Sequence, residues 1–391
     1  MLSILNIIVQ DNPNITSFKT NKFTYEGIEA PRLNYEEHSE KFSWKKSGES
    51  IKLNGYKSLS SLAQKISTQP PLFSYFLDGS RKAYKVDDFS IKNQVFPIIA
   101  GQIGVGCCER INKKIVPAKY KEQVLCRRKF VISLPNKVKG DWDKDELYSN
   151  KICEKINLEL AKFSDQLSFD KILFYSPSMN SDEANFENKG IATIQDYMIE
   201  NEKELVQELA TKQLLSPSSM LIKDGSLEYP VLAIDKNKKE LVKFKNNYNF
   251  VVGVSKSFNP LNCIGKDNSN ISKFVAELPL YSRTPVQRYS SPRIGNMDFA
   301  IWYVRIRDSQ YTKNVFDGIL KIEKILVTDE QIEIGLDTEE VDYITAQLIN
   351  ERNPVCYGDD KRWANHLYPV YLTERYIKSK YLSDNLFMNI F

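Results

Sequence analysis

The sequence predicts an α/β fold in which helices flank a mixed β-sheet. Three strand-like runs follow one another: residues 72–77 continuing toward Val86, residues 94–106 and residues 123–134. Apolar and polar residues partly alternate in the third run, which is typical of an antiparallel strand with one solvated face. Helix-like and strand-like segments then alternate toward the C-terminus. Successive strands followed by alternating helices and strands indicate a mixed sheet with helices packed on it.

Each later segment has a predicted place in this order. We expect helices at 144–163, 189–212, 338–350 and 370–382, and strands at 170–176, 219–223, 249–254, 299–306 and 318–327. Three strands, a helix, a strand, a helix and a strand are the element order of the ribonuclease H type of fold. We therefore predict a ribonuclease H-like mixed sheet with N-terminal and C-terminal additions.

Two regions are expected along the 391 residues, a length that suits one large domain or two ordinary ones. Residues 71–391 carry the predicted sheet and form the main domain. Residues 1–70 combine strand-like pieces, polar loops and a helix around Ser58–Ile66. We assign them to an N-terminal extension, which is a candidate contact for a dimer mate or another partner.

The composition is that of a globular protein with a substantial core. Hydrophobic residues make up 42% of the chain and charged residues 27%. No apolar run approaches the roughly 18–20 residues that a membrane helix needs. The N-terminal stretch MLSILNIIVQ lacks the basic start and the cleavage site of a signal peptide. We therefore expect a cytoplasmic protein that does not contact a membrane.

Cysteine and histidine usage argues against several kinds of site. The six cysteines form no C-x-x-C pair, which disfavours structural zinc and indicates reduced thiols. His38 and His366 are the two histidines, so a metal site built mostly from histidine is excluded. The glycines of GQIGVG at 101–106 are not followed by Gly-Lys-Ser/Thr. ATP hydrolysis is therefore expected to belong to a partner.

Positive charge is concentrated between residues 110 and 139. This segment carries ten Lys or Arg residues against one acid, Glu122. Such a patch attracts polyanions. A solvated hairpin explains the same composition, and the sequence leaves both interpretations open.

Two strand-like runs end in Asp-Gly-Ser, one at Asp78 and one at Asp224. The glycine permits a tight turn and a close approach of the backbone. If the two strands are neighbours, both carboxylates point at one place, where they repel each other unless a proton or a cation lies between them. Mg²⁺ and Mn²⁺ prefer such oxygen ligands. The alternative is that each aspartate only opens a turn.

A third carboxylate is predicted from the spacing of the helix at 189–212. The apolar stripe of this helix consists of Ile191, Ile194, Met198, Leu205 and Leu209. Glu202 interrupts the stripe, whereas the neighbouring glutamates fall on the solvent side. A buried glutamate needs a partner, and a metal ion shared with Asp78 and Asp224 would provide one. The alternative partner is a lysine or an arginine.

Five short blocks, taken in order, resemble the NurA nuclease family. They are FLDGSR (76–81), LIKDGSL (221–227), VVGVSKS (251–257), WYVRI (302–306) and HLYPVYL (366–372). The resemblance implies a ribonuclease H-like DNA nuclease, dependent on Mn²⁺ or Mg²⁺, that trims 5′ ends and cuts single strands. It also implies a homodimer working with a hexameric HerA-type ATPase that moves the DNA, in end processing or in defence.

The resemblance also assigns roles to individual residues. Asp78 and Asp224 match the metal aspartates of the family, and Glu202 takes the place of its helical glutamate. Two ions held by such carboxylates can activate water and stabilise the leaving oxygen. Lys256 matches the lysine of the GVSK block, where it can neutralise charge on the phosphoryl oxygens. Without the family, Lys256 reads as a surface lysine at the end of a strand.

The C-terminal block departs from the family pattern. The family commonly continues with alanine-histidine after the Tyr-Pro block, where this chain has LTERY at 372–376. Either His366 or Glu374 takes the role of that histidine, or the role is missing. If the role is missing, we expect a catalytically weakened DNA-binding adaptor for the ATPase.

Basic and aromatic residues near these blocks are the predicted DNA contacts. They are Arg81 and Lys82 after the first Asp-Gly-Ser, Arg283 and Arg288 in a loop at 281–293, and Tyr303 and Arg305 in the aromatic-basic strand. Arginine holds phosphate, and tyrosine stacks on unpaired bases. Phosphate contacts carry no sequence information, so we expect little sequence specificity.

Overall fold

The computed structural model describes residues 3–11, 15–25, 43–140, 144–164, 167–176, 183–228, 238–265, 268–290, 297–312, 314–352 and 363–391. His38, which the sequence analysis names, and Cys356, one of the six cysteines, lie outside these ranges.

Strands and helices alternate along the chain as the sequence predicts. The strands are β1 (Ile15–Ser17), β2 (Phe23–Thr24), β3 (Ser43–Ser47), β4 (Lys57–Ser58), β5 (Phe73–Ile91), β6 (Gln94–Ile111), β7 (Lys114–Pro117), β8 (Lys119–Tyr120), β9 (Gln123–Val124), β10 (Cys126–Pro135), β11 (Lys171–Tyr175), β12 (Met220–Asp224), β13 (Val251–Ser255), β14 (Ser282–Arg283), β15 (Gln287–Ser290), β16 (Asp298–Arg305) and β17 (Ile319–Ile325). The helices are α1 (Ile4–Gln10), α2 (Ser60–Ile66), α3 (Asp145–Leu160), α4 (Glu183–Thr211), α5 (Lys238–Asn247), α6 (Ser272–Ala276), α7 (Asp329–Ile334), α8 (Thr338–Asn350), α9 (Tyr368–Lys378) and α10 (Asp384–Asn389).

The long hairpin of β5 and β6 forms the middle of a large mixed sheet. The hydrogen-bonded order is β11-β10-β6-β5-β12-β13-β17-β16-β14-β4. β5, β12 and β13 run parallel, whereas β6 pairs antiparallel with both β5 and β10. The fold is therefore α/β with a mixed sheet and flanking helices, as the element pattern predicts. Its parallel part brings the carboxyl ends of β12 and β13 beside the first half of β5.

The first strand does not end at Asp78, contrary to the expectation from sequence. β5 continues through Asp-Gly-Ser to Ile91, because β6 pairs with it from Tyr75 to the end of the strand. The Asp78 carboxylate is therefore carried by extended, paired backbone instead of a turn. The second Asp-Gly-Ser does lie at a strand end, since β12 stops at Asp224.

The N-terminal region joins the same sheet. β1 and β2 pair with β5, β3 pairs with β15, and β4 pairs with β14. The described residues of 1–70 thus extend the sheet of residues 71–391, and a contact with a dimer mate or partner stays a prediction. The predicted loop at 281–293 is also strand up to Ser290, as β14 and β15, while residues 291–293 lie outside the described ranges.

Helices cover both faces of the sheet. α4 buries the predicted apolar stripe against β5, β6 and β10. α9 packs on β5 and β6, and α8 packs in a separate apolar cluster with β12, β13, β16 and β17. In the described part of the chain, no helix has both the length and the hydrophobicity needed to cross a membrane. The five described cysteines are free thiols.

Candidate active site

Asp78 and Asp224 lie on neighbouring parallel strands. The register pairs Leu77 of β5 with Lys223 of β12, so the next residue of each strand is an aspartate. β13 continues the parallel group and ends directly before Lys256. Asp78, Asp224 and Lys256 line one cavity of 350 Å³. The structure therefore brings together three of the residues that the sequence analysis singled out.

The cavity opens at the carboxyl ends of β12 and β13. α4 contributes Gln195, Ile199 and Glu202 to its lining, and the loop after β12 contributes Ser226 and Glu228. Clefts at the carboxyl ends of parallel strands are where open α/β sheets bind their ligands. The position of the cavity therefore fits a site for a small ligand or a segment of a polymer.

Asp78 is a buried carboxylate with an unfavourable charge. Its exposed fraction is 5%. Burial and the neighbouring Asp224 carboxylate raise the pKa of Asp78 well above its ordinary value, whereas Lys256 acts in the opposite direction. Among the described residues, no hydrogen bond or ion pair reaches this carboxylate. Because an unpartnered buried charge is costly, Asp78 is suited to take up a proton or a cation.

Lys256 lies between two carboxylates. Its Nζ is 2.7 Å from Asp224 Oδ2 and 3.5 Å from Glu374 Oε2. Burial alone would lower the pKa of Lys256, but Asp224, Asp78 and Glu374 outweigh burial and raise it. Lys256 therefore stays positively charged near neutral pH. An ammonium group in this place can pair with an anionic oxygen of a substrate.

Glu374 is the carboxylate that α9 adds to this group. It raises the pKa of Asp78 more than Glu202 does. Its other oxygen lies 2.9 Å from Lys378 Nζ, one turn along the helix. His366 is buried, with its ring centroid 5.4 Å from that of Tyr371. Of the two residues considered for the C-terminal role, Glu374 is therefore the one that contacts Lys256.

Glu202 is buried on α4, and its partner is a lysine. Glu202 Oε2 lies 3.0 Å from Lys223 Nζ. Burial raises the pKa of Glu202, and Lys223 acts against that shift. The carboxylate packs against Gly79, where a Cβ atom would stand 2.9 Å from Glu202 Cδ. The ion pair named as the alternative for Glu202 is thus formed, and Gly79 permits close approach of a side chain instead of a turn.

The turn after Asp224 is held from a neighbouring strand. Gly225 has a φ of +84°, a conformation that glycine adopts readily. The Glu323 carboxylate of β17 accepts a hydrogen bond of 2.8 Å from Ser226 Oγ and one of 2.7 Å from the Leu227 backbone N–H. Lys321 Nζ lies 2.6 Å from the same carboxylate. This brace fixes the backbone that presents Asp224, and no sequence motif indicated it.

Asn365 positions the backbone of Lys256. Its Nδ2 donates to the carbonyl oxygens of Lys256 at 2.6 Å and Ile319 at 3.1 Å, and its Oδ1 accepts from the Gly318 N–H at 2.8 Å. The side chain is buried. Sequence reasoning passed over Asn365, although it directly precedes the HLYPVYL block.

Arg283 is buried, contrary to its predicted place in a DNA-binding loop. It forms an arginine cluster, which consists of Arg283, Glu49, Asp342 and Lys57. Arg283 Nη2 lies 2.8 Å from Glu49 Oε2, and Arg283 Nε lies 2.7 Å from Asp342 Oδ1. Lys57 also pairs with Asp342. The guanidinium group is fully used within the protein, so its position does not support a contact with DNA.

The other predicted contacts in β15 and β16 are buried as well. Arg288 pairs with Asp298. Arg305 donates to the carbonyl oxygens of Leu278 at 2.6 Å and Ala276 at 2.8 Å. Tyr303 is 3% exposed, with its ring against Phe258. The sequence pattern of alternating aromatic and basic residues here reflects packing, and these three positions do not support DNA contacts either.

Arg81 and Lys82 lie on β5 beyond the site. Arg81 is half-buried and donates a hydrogen bond to Gln195, a residue of the cavity lining. Lys82 pairs with Asp384 of α10 at 2.7 Å. A DNA contact by Arg81 at the rim of the cavity stays a prediction, and Lys82 would have to give up an ion pair to make one.

The basic segment 110–139 is partly neutralised. Arg110 Nη2 lies 2.6 Å from Glu351, and Arg127 pairs with Glu204 and Glu208 at 2.7 Å each. Five lysines of the segment are exposed: Lys113, Lys114, Lys119 and Lys121 near the tips of hairpins, and Lys137 after β10. These lysines are the exposed positive charges through which the segment can attract polyanions.

The donor set of the cavity fits a hard divalent cation. As the side chains stand, no group of three His, Cys, Asp or Glu residues in the described ranges is arranged to hold a metal ion. Mg²⁺, however, is commonly held by one or two carboxylates, with water and substrate phosphate completing its coordination. Asp78 and the adjacent Asp224 supply these two carboxylates, and the buried Asp78 carboxylate has no bonded partner among the described residues.

Solved structures with a likeness to this chain include that of a nuclease. The crystal structure of the NurA nuclease from Sulfolobus solfataricus aligns with a TM-score of 0.39 and 9% sequence identity, over 81% of this chain and 87% of that chain. No protein-family model and no curated protein matches the sequence. A TM-score this low does not establish a common fold, so the function of this chain depends on its own residues.

Proposed function

We propose that this protein is a metal-dependent deoxyribonuclease, which hydrolyses phosphodiester bonds of DNA. The observation that carries the proposal is the placement of Asp78 and Asp224 on adjacent parallel strands, in a cavity that Lys256 also lines. The resemblance of the five sequence blocks supports single-strand endonuclease and 5′ to 3′ exonuclease activity. Mn²⁺ or Mg²⁺ bound by the two aspartates would supply Lewis-acid chemistry to water and phosphate.

The residues of the chain have distinct roles in this proposal. The extended backbone of β5 orients the buried Asp78, while Asp224 is more accessible, with 19% of its side chain exposed. The Lys256 ammonium can pair with a non-bridging oxygen of the scissile phosphate, where negative charge builds up during attack. Glu202 of α4, which is paired with Lys223 of β12, packs against Gly79, next to Asp78.

We also propose that the protein acts as a homodimer with a HerA-type hexameric ATPase, in DNA end processing or defence. The support is the resemblance of the five blocks, whose order is the specific feature. The absence of a Gly-Lys-Ser/Thr phosphate loop from the sequence fits this division of labour, since ATP hydrolysis would then come from the partner.

A test of the nuclease compares Asp78→Asn and Asp224→Asn with the wild type, using cleavage of end-labelled single-stranded DNA in Mn²⁺. Each substitution removes a charge and keeps the shape of the side chain. We expect each to lower the rate by about 10²–10³-fold, the usual size of losing one preorganised electrostatic group. Circular dichroism and thermal unfolding should show an intact fold.

Glu330→Gln is the matched control, because Glu330 is an exposed acid on α7 and does not line the cavity. It should cleave at the wild-type rate. Wild-type activity in both aspartate variants would contradict the proposed site.

A catalytically weakened DNA-binding adaptor is the second candidate function. The ion pair of Lys256 with Asp224 favours it, because the lysine already compensates a carboxylate that a metal would use. Wild-type protein that binds DNA but cleaves none, in Mn²⁺ or Mg²⁺ and with or without the ATPase, would support the adaptor over the nuclease.

A further inference from the structure

A second cavity shares Ile199 with the candidate active site. It has a volume of 250 Å³ and runs along α4 beside β11. Phe174 and Tyr197 provide its aromatic surface, and Lys171 and Lys203 provide positive charge. Because Ile199 lines both cavities, the two are neighbours along the same helix. We call this second cavity the α4–β11 groove.

Two lysines converge on Tyr197: Lys171 lines the groove, and Lys129 of β10 contacts the same ring from beside the groove. Lys129 Nζ stands 5.1 Å from the centroid of the Tyr197 ring and donates a hydrogen bond of 3.0 Å to its hydroxyl. Lys171 Nζ stands 5.0 Å from the same centroid. Neither ammonium forms an ion pair with a carboxylate within the described ranges. Two like charges around one ring repel each other, and an anion between them would relieve this.

The groove also contains two acids. Asp196 and Glu200 line the groove together with Lys203, and both act on the charge of Lys203. Lys129 acts to lower the pKa of Asp170, outside the groove lining, and the Asp170 carboxylate accepts a hydrogen bond of 2.9 Å from the Phe130 backbone N–H. Lys129, Lys171 and Lys203 therefore stand against Asp196 and Glu200 around the groove, which leaves one positive charge in excess for a ligand.

We propose that the α4–β11 groove binds a backbone phosphate of a single DNA strand that passes through the candidate active site. Lys129 and Lys171 contact the phosphate oxygens, and Phe174 and Tyr197 offer apolar surface to the adjoining sugar and base. Proteins that bind unpaired nucleic acid commonly combine positive charge with aromatic rings in this way. The identity of the ligand rests on the proposed nuclease function, whereas the anion site rests on the groove itself.

The test measures binding of the full-length protein to a labelled oligothymidylate by fluorescence anisotropy, in EDTA and over a range of salt concentrations. The variant is Lys129→Gln/Lys171→Gln. Each phosphate neutralised in a single strand contributes about 0.7 to the slope of log affinity against log salt, so losing the one phosphate of the groove should reduce the slope by about 0.7. Circular dichroism verifies the fold of each variant.

Lys113→Gln/Lys114→Gln is the matched control, since it removes two exposed lysines from the basic segment and none from the groove. It should keep the wild-type slope. A loss of slope in this control with none in the groove variant would overturn the groove and assign the binding to the hairpin. Equal wild-type slopes in both variants, or no binding of oligothymidylate by the wild type, would overturn it as well.

Two further measurements separate the possible ligands and functions. Titration with inorganic phosphate, followed by phosphorus NMR line broadening, shows whether the groove takes free phosphate; phosphate binding without oligothymidylate binding contradicts the proposal. Loss of slope in the groove variant, in a protein that cleaves no DNA with any metal, would support the groove and overturn only the proposed nuclease.

Discussion

The chain contains two buried groups of charged residues, and they differ in balance. The acidic cluster consists of Asp78, Asp224, Glu202 and Glu374, which face Lys223 and Lys256. The arginine cluster has two acids and two bases, and both of its carboxylates form ion pairs. The acidic cluster borders a 350 Å³ cavity and keeps a buried carboxylate without a bonded partner.

The difference indicates what each group is for. A buried ion pair with every charge matched can hold segments of a fold together, although it contributes little net stability compared with apolar packing. An excess of buried negative charge beside a cavity costs stability, and such a cost is typical of functional sites. Breaking the arginine cluster should therefore damage the fold, and changing the acidic cluster should alter chemistry.

The largest expected effect on stability is at the arginine cluster. Arg283→Met leaves Glu49 and Asp342 buried without their main partner, so we expect the free energy of unfolding to fall by about 3–5 kcal/mol. Urea unfolding followed by circular dichroism measures this. Arg375→Met, at an exposed arginine of α9, is the control and should leave the unfolding midpoint unchanged. An equal stability of the two variants would mean that the arginine cluster has no structural role.

A smaller loss is expected where the acidic cluster meets the backbone of β5. Gly79→Ala places a methyl group against the Glu202 carboxylate. We expect a loss of about 1–3 kcal/mol, typical of overpacking in a core. The double variant Gly79→Ala/Glu202→Ala should recover part of that loss relative to the sum of the single changes, because the collision is gone. Strictly additive losses would show that Glu202 does not pack on Gly79.

The two glutamates of the acidic cluster should differ in their effect on metal binding. Glu374 affects the pKa of Asp78 more strongly than Glu202, which is paired with Lys223. We expect Glu374→Gln to weaken Mn²⁺ binding about tenfold, the lower end of the effects seen for groups that support metal ligands. Isothermal titration calorimetry measures the affinity directly. A larger loss in Glu202→Gln would restore Glu202 as the third carboxylate.

The smallest expected effect is on the pH dependence of stability. Because the pKa of Asp78 is raised in the folded state, the folded protein binds this proton more tightly than the unfolded chain does. Stability from this residue is therefore full below the ordinary pKa of aspartate and is lost as pH rises through the raised pKa. The slope of this loss is at most about 1.4 kcal/mol per pH unit.

Asp78→Asn replaces the titrating carboxyl group with an amide that binds no proton in this pH range. In EDTA, the variant should gain stability relative to the wild type as pH rises through the same window, measured by urea unfolding at a series of pH values. A difference between the two proteins that does not change with pH would contradict a raised pKa for Asp78.

Local sequence patterns predicted those parts of the structure that depend on nearby residues. The apolar stripe of α4 placed Glu202 inside, and the two Asp-Gly-Ser runs marked strands that prove to be neighbours. The end of the first strand was misjudged, because Asp-Gly is a turn signal only where no partner strand continues the ladder. β6 does continue it, past Asp78 to Ile91.

Partners distant in the sequence could not be predicted from it. Arg283 resembled a DNA contact because its acid, Glu49, lies 234 positions away. Lys223 was read only as part of a strand, although the alternation of side chains along β12 places it on the opposite face from Asp224. That alternation was the available signal for the Glu202–Lys223 ion pair.

The pairing of β5 with β12 also sets when the molecule can become active during its synthesis. β5 leaves the ribosome early, but its parallel neighbour follows only after β6, β10, β11 and α4 have been made. Lys256 comes later still, and Glu374 lies in the penultimate helix. Since chain segments fold as they emerge, a nascent or truncated chain lacks the complete set of charges. The proposed nuclease is therefore inert until translation has passed α9.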